Sequence, residues 1–119
     1  MAKYVDGFVI AIKKNKVAQY KKMAKIGKKL WLKYGALDYV EAIGDDLKVK
    51  GIRSFTKTAK AKSNETVIFS YIVFKSKAHR NSVNKKVMND PAMKNFDPSN
   101  CPFLPSAMSY GGFKVIVGS

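Results

Sequence analysis

The chain has 119 residues, of which 46% are hydrophobic and 12% aromatic, so it can bury a core and is too apolar to remain disordered. The formal net charge is +15 at pH 7, and only Arg53 and Arg80 among the 23 basic residues are arginine. A single cysteine excludes an internal disulfide, and with one histidine it excludes a Cys/His metal cluster. We therefore expect one domain over residues 1–119, with no metal and no cofactor.

The N-terminal stretch has no basic region followed by a long apolar run, so no signal peptide is predicted. No apolar stretch approaches the roughly 20 residues that span a bilayer. We expect a soluble protein, located in the cytoplasm and without a membrane partner.

The first third of the chain predicts a strand, a helix and a second strand. Tyr4–Ile12 is apolar at nearly every position and rich in β-branched and aromatic residues, as in a buried strand. Asn15 is placed to cap a helix, and from residue 17 to 34 apolar and small residues recur with the three-four spacing of one helical face. Gly35 is expected to end this helix, and residues 36–43 to form the second strand.

The middle of the chain is less regular. Residues 48–64 are polar, basic and weakly periodic, which predicts an exposed loop or a ragged hairpin edge. Thr66–Phe74 is the most strand-like run of the sequence. Ser76 is expected to cap a second long helix, from Lys77 to about Asn89.

The last part of the chain completes the fold prediction. A short turn of helix is expected at residues 92–96, and residues 106–117 should form a final strand, broken at Gly111 and Gly112. The order β-α-β-β-α-β is the ferredoxin-like arrangement of the α+β class, with four antiparallel strands and both helices on one face.

The hydrophobic pattern also predicts an oligomer. A sheet with one face in water alternates apolar and polar residues, whereas the first and third strands are apolar on both faces. Because two helices can cover only one face, something else must cover the other. A second copy of the chain is the simplest candidate, which predicts a homodimer whose sheets close into a dimeric α+β barrel.

Splitting each strand by its period of two gives one set of small residues and one set rich in tyrosine. We expect the small set to face the helices, where it would allow close packing, and the tyrosines to face the barrel. An apolar cavity with a few convergent polar groups is typical of a small-molecule site. The candidate ligand-binding residues are Tyr4, Asp6, Tyr39, Glu41, Tyr71 and Tyr110 on this face, with His79 at a barrel mouth.

The possible roles of these residues remain open at this point. A carboxylate in such a cavity would have a raised pKa and could act as a general base, with a tyrosine hydroxyl as donor to an oxyanion. Alternatively, the tyrosines are ordinary interface residues, Asp6 and Glu41 cap loops or pair with lysines, and His79 makes a local hydrogen bond. The sequence identifies no catalytic residue and leaves open whether the protein is an enzyme.

Charge suggests an alternative function. Residues 16–34 contain seven lysines and no acid, and a basic surface suits a phosphate-rich partner. A nucleic-acid (RNA) or acidic-partner binding module would use Lys21, Lys25, Lys28, Lys29, Arg53 and Lys57. Against this, arginine, the usual residue for bidentate phosphate contacts, is scarce. The helical spacing also places Lys21, Lys25, Lys28 and Lys29 on the solvated side of a core helix, where like-charge pairs repel by only a few tenths of a kcal/mol and need no binding partner. We therefore favour the small-molecule hypothesis.

Five segments together resemble the YbaA-like family of small uncharacterised bacterial proteins, nearly end to end. They are YVDGFVIAI (4–12), GALDYVEAIGDD (35–46), FSYIVFKSKAHR (69–80), VMNDPAM (87–93) and MSYGGFKVIV (108–117). The resemblance implies a dimeric α+β barrel fold and an unknown biochemical function. The superfamily includes monooxygenases, haem-degrading enzymes and isomerases, but their catalytic residues do not match this sequence, so no mechanism is transferred. The strand signature of an RNA-recognition motif is absent.

Overall fold

The computed structural model describes residues 2–118, in which four strands pair into one antiparallel sheet. The strands are β1 (Tyr4–Lys13), β2 (Asp38–Ile43), β3 (Glu65–Phe74) and β4 (Met108–Lys114). Their order across the sheet is β2-β3-β1-β4, so β1 and β3 are central and the other two are edges. Each pair of neighbouring strands is antiparallel. Between the central strands, the register runs from Tyr4 opposite Phe74 to Lys13 opposite Glu65.

Two long and two short helices connect the strands. They are α1 (Val17–Lys33), α2 (Phe55–Thr58), α3 (Lys77–Met88) and α4 (Pro91–Lys94), with 3-10 turns at Lys14–Lys16, Pro98–Asn100 and Pro105–Ala107. The long helices α1 and α3 follow β1 and β3, so the predicted ferredoxin-like order is confirmed. None of the helices in residues 2–118 is both long enough and apolar enough to cross a membrane.

The ends of the long helices follow from local chemistry. Gly35 has φ +111°, a conformation that favours glycine, and it ends α1 as predicted. Ser76 caps α3 by accepting a hydrogen bond from the backbone N–H of His79 at 3.1 Å, also as predicted. The expectation that Asn15 caps α1 is wrong, because the chain enters this helix through the 3-10 turn at Lys14–Lys16 and no side chain caps it.

Two other expectations change. The segment 48–64 is not all loop, since Ser54 caps the short α2 by accepting from the N–H of Lys57. The break at Gly111 and Gly112 does not occur, and β4 pairs with β1 through both glycines. A Cβ on Gly112 would lie 2.5 Å from the Tyr4 hydroxyl oxygen, so this glycine makes room for a side chain within a continuous strand.

The register of the sheet defines its two faces. We call the face that packs against α1 and α3 the helix face, and the opposite one the open face. The helix face carries Tyr4, Asp6, Phe8, Ile10 and Ile12 of β1, Tyr39 and Glu41 of β2, Ser70, Ile72 and Phe74 of β3, and Tyr110 of β4. The open face carries Val5, Val9 and Ala11 of β1, Val40 and Ala42 of β2, Phe69, Tyr71 and Val73 of β3, and Phe113 of β4.

The face prediction is therefore right for β3 and wrong for the other three strands. Five candidates expected on the open face lie on the helix face instead: Tyr4, Asp6, Tyr39, Glu41 and Tyr110. The physical reason is that the side chains facing the helices must fill the gap between the helices and the sheet. The gap between sheet and helices takes the larger side chains, and Tyr4, Phe8 and Tyr39 pack against the core cluster that contains Phe74 and Val83. The small residues of β1 and β2 are left on the open face.

Candidate functional site

The open face is apolar and lacks charge at its centre. Its charged residues lie at the strand ends, where Lys13 is opposite Glu65 at one end and Asp38 is opposite Val73 at the other. Large apolar side chains remain in contact with solvent, and Phe113 is 62% exposed. A contiguous apolar face of this kind marks an interaction or ligand-binding surface.

Three aromatic rings form a row across part of this face. The ring of Tyr71 lies 6.2 Å from that of Phe69, which lies 6.1 Å from the ring of Phe55 on α2. These distances and the tilted geometry are those of favourable aromatic pairs. Tyr71 is thus the one predicted ligand-binding residue that lies on the open face.

A groove occupies the end of the open face where this row begins. We call it the Phe55–Phe69 groove; its volume is ≈ 410 Å³, and it is lined by Ala42, Ile43, Gly44, Asp45, Asp46, Leu47, Phe55, Val67 and Phe69. The sheet supplies one wall, and the loop after β2 together with α2 supplies the other. Its lining is mainly apolar, with two carboxylates.

A buried ion pair lies on the helix face. Asp6 is 1% exposed, and its Oδ1 faces Nε of Arg80 at 3.3 Å without the alignment of a hydrogen bond. Its other oxygen, Oδ2, accepts from the Asn84 side chain at 3.3 Å, and Asn84 in turn accepts from the Trp31 indole at 2.9 Å. Arg80 also donates to the Tyr4 hydroxyl at 3.2 Å. The cluster ties β1 to both long helices.

A second carboxylate on the helix face is held by two tyrosines. Glu41 accepts hydrogen bonds from the hydroxyls of Tyr20 and Tyr39 at 2.6 and 2.7 Å, one on each oxygen. Burial, and then the neighbouring Glu41, raise the pKa of both hydroxyls well above the usual range, so both remain protonated donors. The two hydrogen bonds fix this carboxylate beneath α1.

His79 lies at the start of α3 and makes local contacts. Its Nδ1 accepts from the backbone N–H of Lys75 at 3.0 Å, and its ring meets Phe74 edge-on. Burial lowers the pKa of His79, and the charges of Lys75 and Lys86 lower it further. The neutral imidazole with an accepting Nδ1 is therefore the favoured form near neutral pH.

These contacts limit the chemistry of the two carboxylates. Both Asp6 and Glu41 lie beneath the helices, and their oxygens face guanidinium, amide or hydroxyl groups, as structural carboxylates do. A contribution to ligand binding by Tyr4, Asp6, Tyr39, Glu41, Tyr110 and His79 stays a prediction. Over residues 2–118, no three His, Cys, Asp or Glu side chains are grouped so that they could hold a metal ion.

The lysines of α1 and of the loop before α2 form separate basic surfaces. The side chains predicted for a phosphate-rich partner on α1, namely Lys21, Lys25, Lys28 and Lys29, are exposed. The other two, Arg53 and Lys57, line a wide groove of ≈ 720 Å³ together with Lys48, Val49, Lys50, Gly51, Ile52 and Ser54. None of the four α1 lysines lines this groove, so the structure does not bring the six candidates together in it.

Comparison with known proteins identifies relatives over nearly the whole chain. Residues 3–105 match the family described as "Protein of unknown function (DUF1428)". Uncharacterized protein YbaA of Escherichia coli strain K12 is 42% identical over 115 residues, covering 97% of both chains, and YbaA of Shigella flexneri matches equally. The chain belongs to the DUF1428 family.

Solved structures share the fold of this DUF1428 protein. A dimeric ferredoxin-like protein from an uncultured marine organism aligns over 100% of both chains, with a TM-score of 0.58 and 15% identity. An uncharacterized NIPSNAP domain protein from Burkholderia xenovorans aligns over 92% of this chain and 91% of its own, with a TM-score of 0.55 and 14% identity. At these identities the likeness shows the fold alone.

Two features of the DUF1428 chain escaped sequence reasoning. The partner of Asp6 is Arg80, and a usable signal was present, since an isolated arginine among lysines suits a buried, hydrogen-bonded ion pair. The Phe55–Phe69 groove was missed because Phe55 lies within a segment that reads as polar loop. No local sequence pattern indicates that Phe55 packs against Phe69 of β3.

Proposed function

We propose that the protein is a homodimer whose two sheets pack through their open faces, and that it binds a small organic molecule between them. The observation that carries this proposal is the apolar open face of a chain with a net charge of +15. Exposed apolar surface of this kind is stabilised when it is buried. Tyr71 is the predicted ligand-binding residue that lies on that face, and its ring packs beside that of Phe69.

Charge supports a second copy as the cover of this face. Like-charged chains repel, so two copies associate most readily through a surface without lysine. The centre of the open face is such a surface, whereas the lysines of α1 lie on the opposite side of the sheet, beyond the helix face. The ferredoxin-like structure that aligns over the whole chain is itself described as dimeric, which adds support.

The oligomeric state tests the proposal. Val9 lies at the middle of the open face, between Phe69 and Ser109 on the neighbouring strands. We expect sedimentation velocity to give a dimer for the natural chain and a monomer for Val9→Lys, because the added charge would be buried at the interface. Ser82→Lys, which adds the same charge on exposed α3, should remain dimeric. A natural chain that stays monomeric at about 100 μM would contradict the proposal.

The cytoplasm remains the proposed location. A chain with one cysteine forms no internal disulfide and suits a reducing compartment. Fractionation of the tagged full chain in a bacterial host measures this, and recovery in the periplasmic fraction would contradict it.

A second candidate function has one observation in its favour. The wide groove before α2 is lined by Lys48, Lys50, Arg53 and Lys57, with no acid in its lining. We propose nucleic-acid backbone binding there, with the α1 lysines as additional contacts, as the alternative function. Binding of a single-stranded oligonucleotide should then weaken steeply with salt, and Arg53→Gln should reduce the salt slope by about one. Binding that is absent at low salt would exclude this alternative.

A further inference from the structure

The Phe55–Phe69 groove is a mainly apolar hollow of ≈ 410 Å³ at one end of the open face. We propose that it is the place on the open face where the ligand binds, and that the ligand is a planar aromatic molecule without negative charge. This inference rests on the proposed function, which it deepens by locating the site and by naming the ligand class.

The first argument is shape. A volume of ≈ 410 Å³ lies within the roughly 300–1,000 Å³ typical of small-molecule sites. Val67 and Phe69 of β3 form the sheet wall, and the loop returns over them. Gly44 allows this return, because a Cβ at that position would lie 2.5 Å from Cδ1 of Leu47. The hollow is therefore built by close packing of the loop at the strand end.

The second argument is the chemistry of the walls. Phe55 and Phe69 are 48% and 46% exposed, although their rings lie 6.1 Å apart. Each therefore has ring surface available for a further partner. Aromatic rings at about 4.5–7 Å attract one another beyond simple area burial, so a planar aromatic ligand would extend the row that ends at Tyr71.

The third argument is charge. The charged residues that line the groove are Asp45 and Asp46, both exposed carboxylates. They lower the local potential in a chain whose net charge is +15 and that would otherwise attract anions. The groove should therefore prefer a neutral aromatic molecule to the same molecule bearing an acidic group.

Two dyes that differ by one sulfonate test both parts of the inference. Full-length protein is titrated with N-phenylnaphthylamine, which is neutral, and with anilinonaphthalene sulfonate, and fluorescence gives each dissociation constant. We expect the neutral dye to bind more tightly by about fivefold or more, a preference that Asp45→Asn with Asp46→Asn reduces. Phe55→Ala should weaken the neutral dye by about tenfold, as loss of an aromatic wall implies.

Phe96→Ala is the matched control, because it removes an exposed phenylalanine that lies after α4, outside both the groove and the open face. It should change the affinity for the neutral dye by less than about twofold. Equal effects of Phe55→Ala and Phe96→Ala, tighter binding of the sulfonate, or no saturable binding of the neutral dye would each overturn the inference.

Sedimentation of the same samples separates the two proposals. A dimer that binds the neutral dye without dependence on Phe55 overturns the groove assignment and leaves the proposed function in place. A monomer whose dye binding does depend on Phe55 overturns the proposed homodimer and leaves the groove assignment in place.

Discussion

The carboxylate of Asp6 is buried and faces the guanidinium of Arg80, whose side chain is 19% exposed. Removing two charges from water costs several kcal/mol for each ion, and the pair offsets this only because Asn84 and Tyr4 supply further hydrogen bonds. Such a pair adds little net stability, yet removal of either member is costly because the other charge then lacks its partner.

We therefore expect Asp6→Asn to lower the free energy of unfolding by about 2–3 kcal/mol, because Nε of Arg80 stays buried without its counter-charge although the side chain as a whole is 19% exposed. Urea unfolding at neutral pH measures it. Asp46→Asn, on the surface, should change stability by less than about 0.5 kcal/mol. Replacing the pair together, Asp6→Leu with Arg80→Met, should cost less than Asp6→Asn alone; a larger loss in the double variant would contradict the ion-pair interpretation.

His79 makes stability depend on pH. Burial, Lys75 and Lys86 lower its pKa in the folded chain, so the unfolded chain takes up the proton first as pH falls. The pKa of this histidine in the unfolded chain is about 6.5. As pH falls below that value, the free energy of unfolding should decline until the folded histidine is also protonated. Asn at position 79 keeps an acceptor for the Lys75 N–H but does not titrate. The fall in Tm between about pH 7.5 and 5.5 should be smaller in His79→Asn, and an equal fall would refute this assignment.

At the scale of elements, α1 combines a packed side with a basic one. Tyr20, Ala24 and Leu30 are buried, while Lys21, Lys25 and Lys29 lie exposed at i,i+4 spacing on the other side. No acidic residue balances them within the helix. The packing of the apolar side maintains the helix despite this repulsion.

Lys25→Glu should stabilise the chain by about 0.5–1 kcal/mol, because it replaces two like-charge pairs by two opposite ones. Lys25→Gln removes the repulsion without adding attraction and should give about half of that gain. Thermal unfolding at low salt measures both, and the difference should vanish at high salt. No gain in either variant would indicate that these lysines already lie too far apart to interact.

The order of helices and strands could be predicted from the sequence, but not which alternate set of β1 residues faces the helices. Both residue sets of β1 are apolar, so its period of two has no preferred phase. The small residues Val5, Val9 and Ala11 were expected to face the helices, which placed Asp6 on the opposite face. Its actual position depends on Arg80, 74 residues later in the chain, which local periodicity cannot register. The small neighbours Val40 and Ala42 led to the same error for Glu41, which Tyr20 of α1 holds on the helix face.

In the molecule as a whole, the charged residues and the apolar open face occupy different parts of the surface. The net charge of +15 is carried around the helices and loops, and the centre of the open face has none. In the proposed dimer, long-range repulsion opposes the approach of two copies, while burial of the apolar faces favours their contact. Long-range repulsion is the part that salt screens, with a Debye length of about 10 Å at 0.1 M.

The proposed dimer should consequently become tighter as salt rises. Between about 50 and 500 mM NaCl we expect the dissociation constant to fall by about tenfold, measured by sedimentation equilibrium. Oligonucleotide binding would change in the opposite direction, because released counterions oppose it. A dimer that dissociates as salt rises would show that ion pairs hold it together and would contradict an apolar interface.

The strand order has a consequence for biosynthesis. β1 leaves the ribosome first, yet it pairs only with β3 and β4, and β2 also pairs only with β3. No strand pairing of the native sheet can form until residues 65–74 have been made, so more than half of the chain emerges with β1 unpaired. Pairing between distant segments slows folding, and the apolar β1 stays without its native strand partners during that interval.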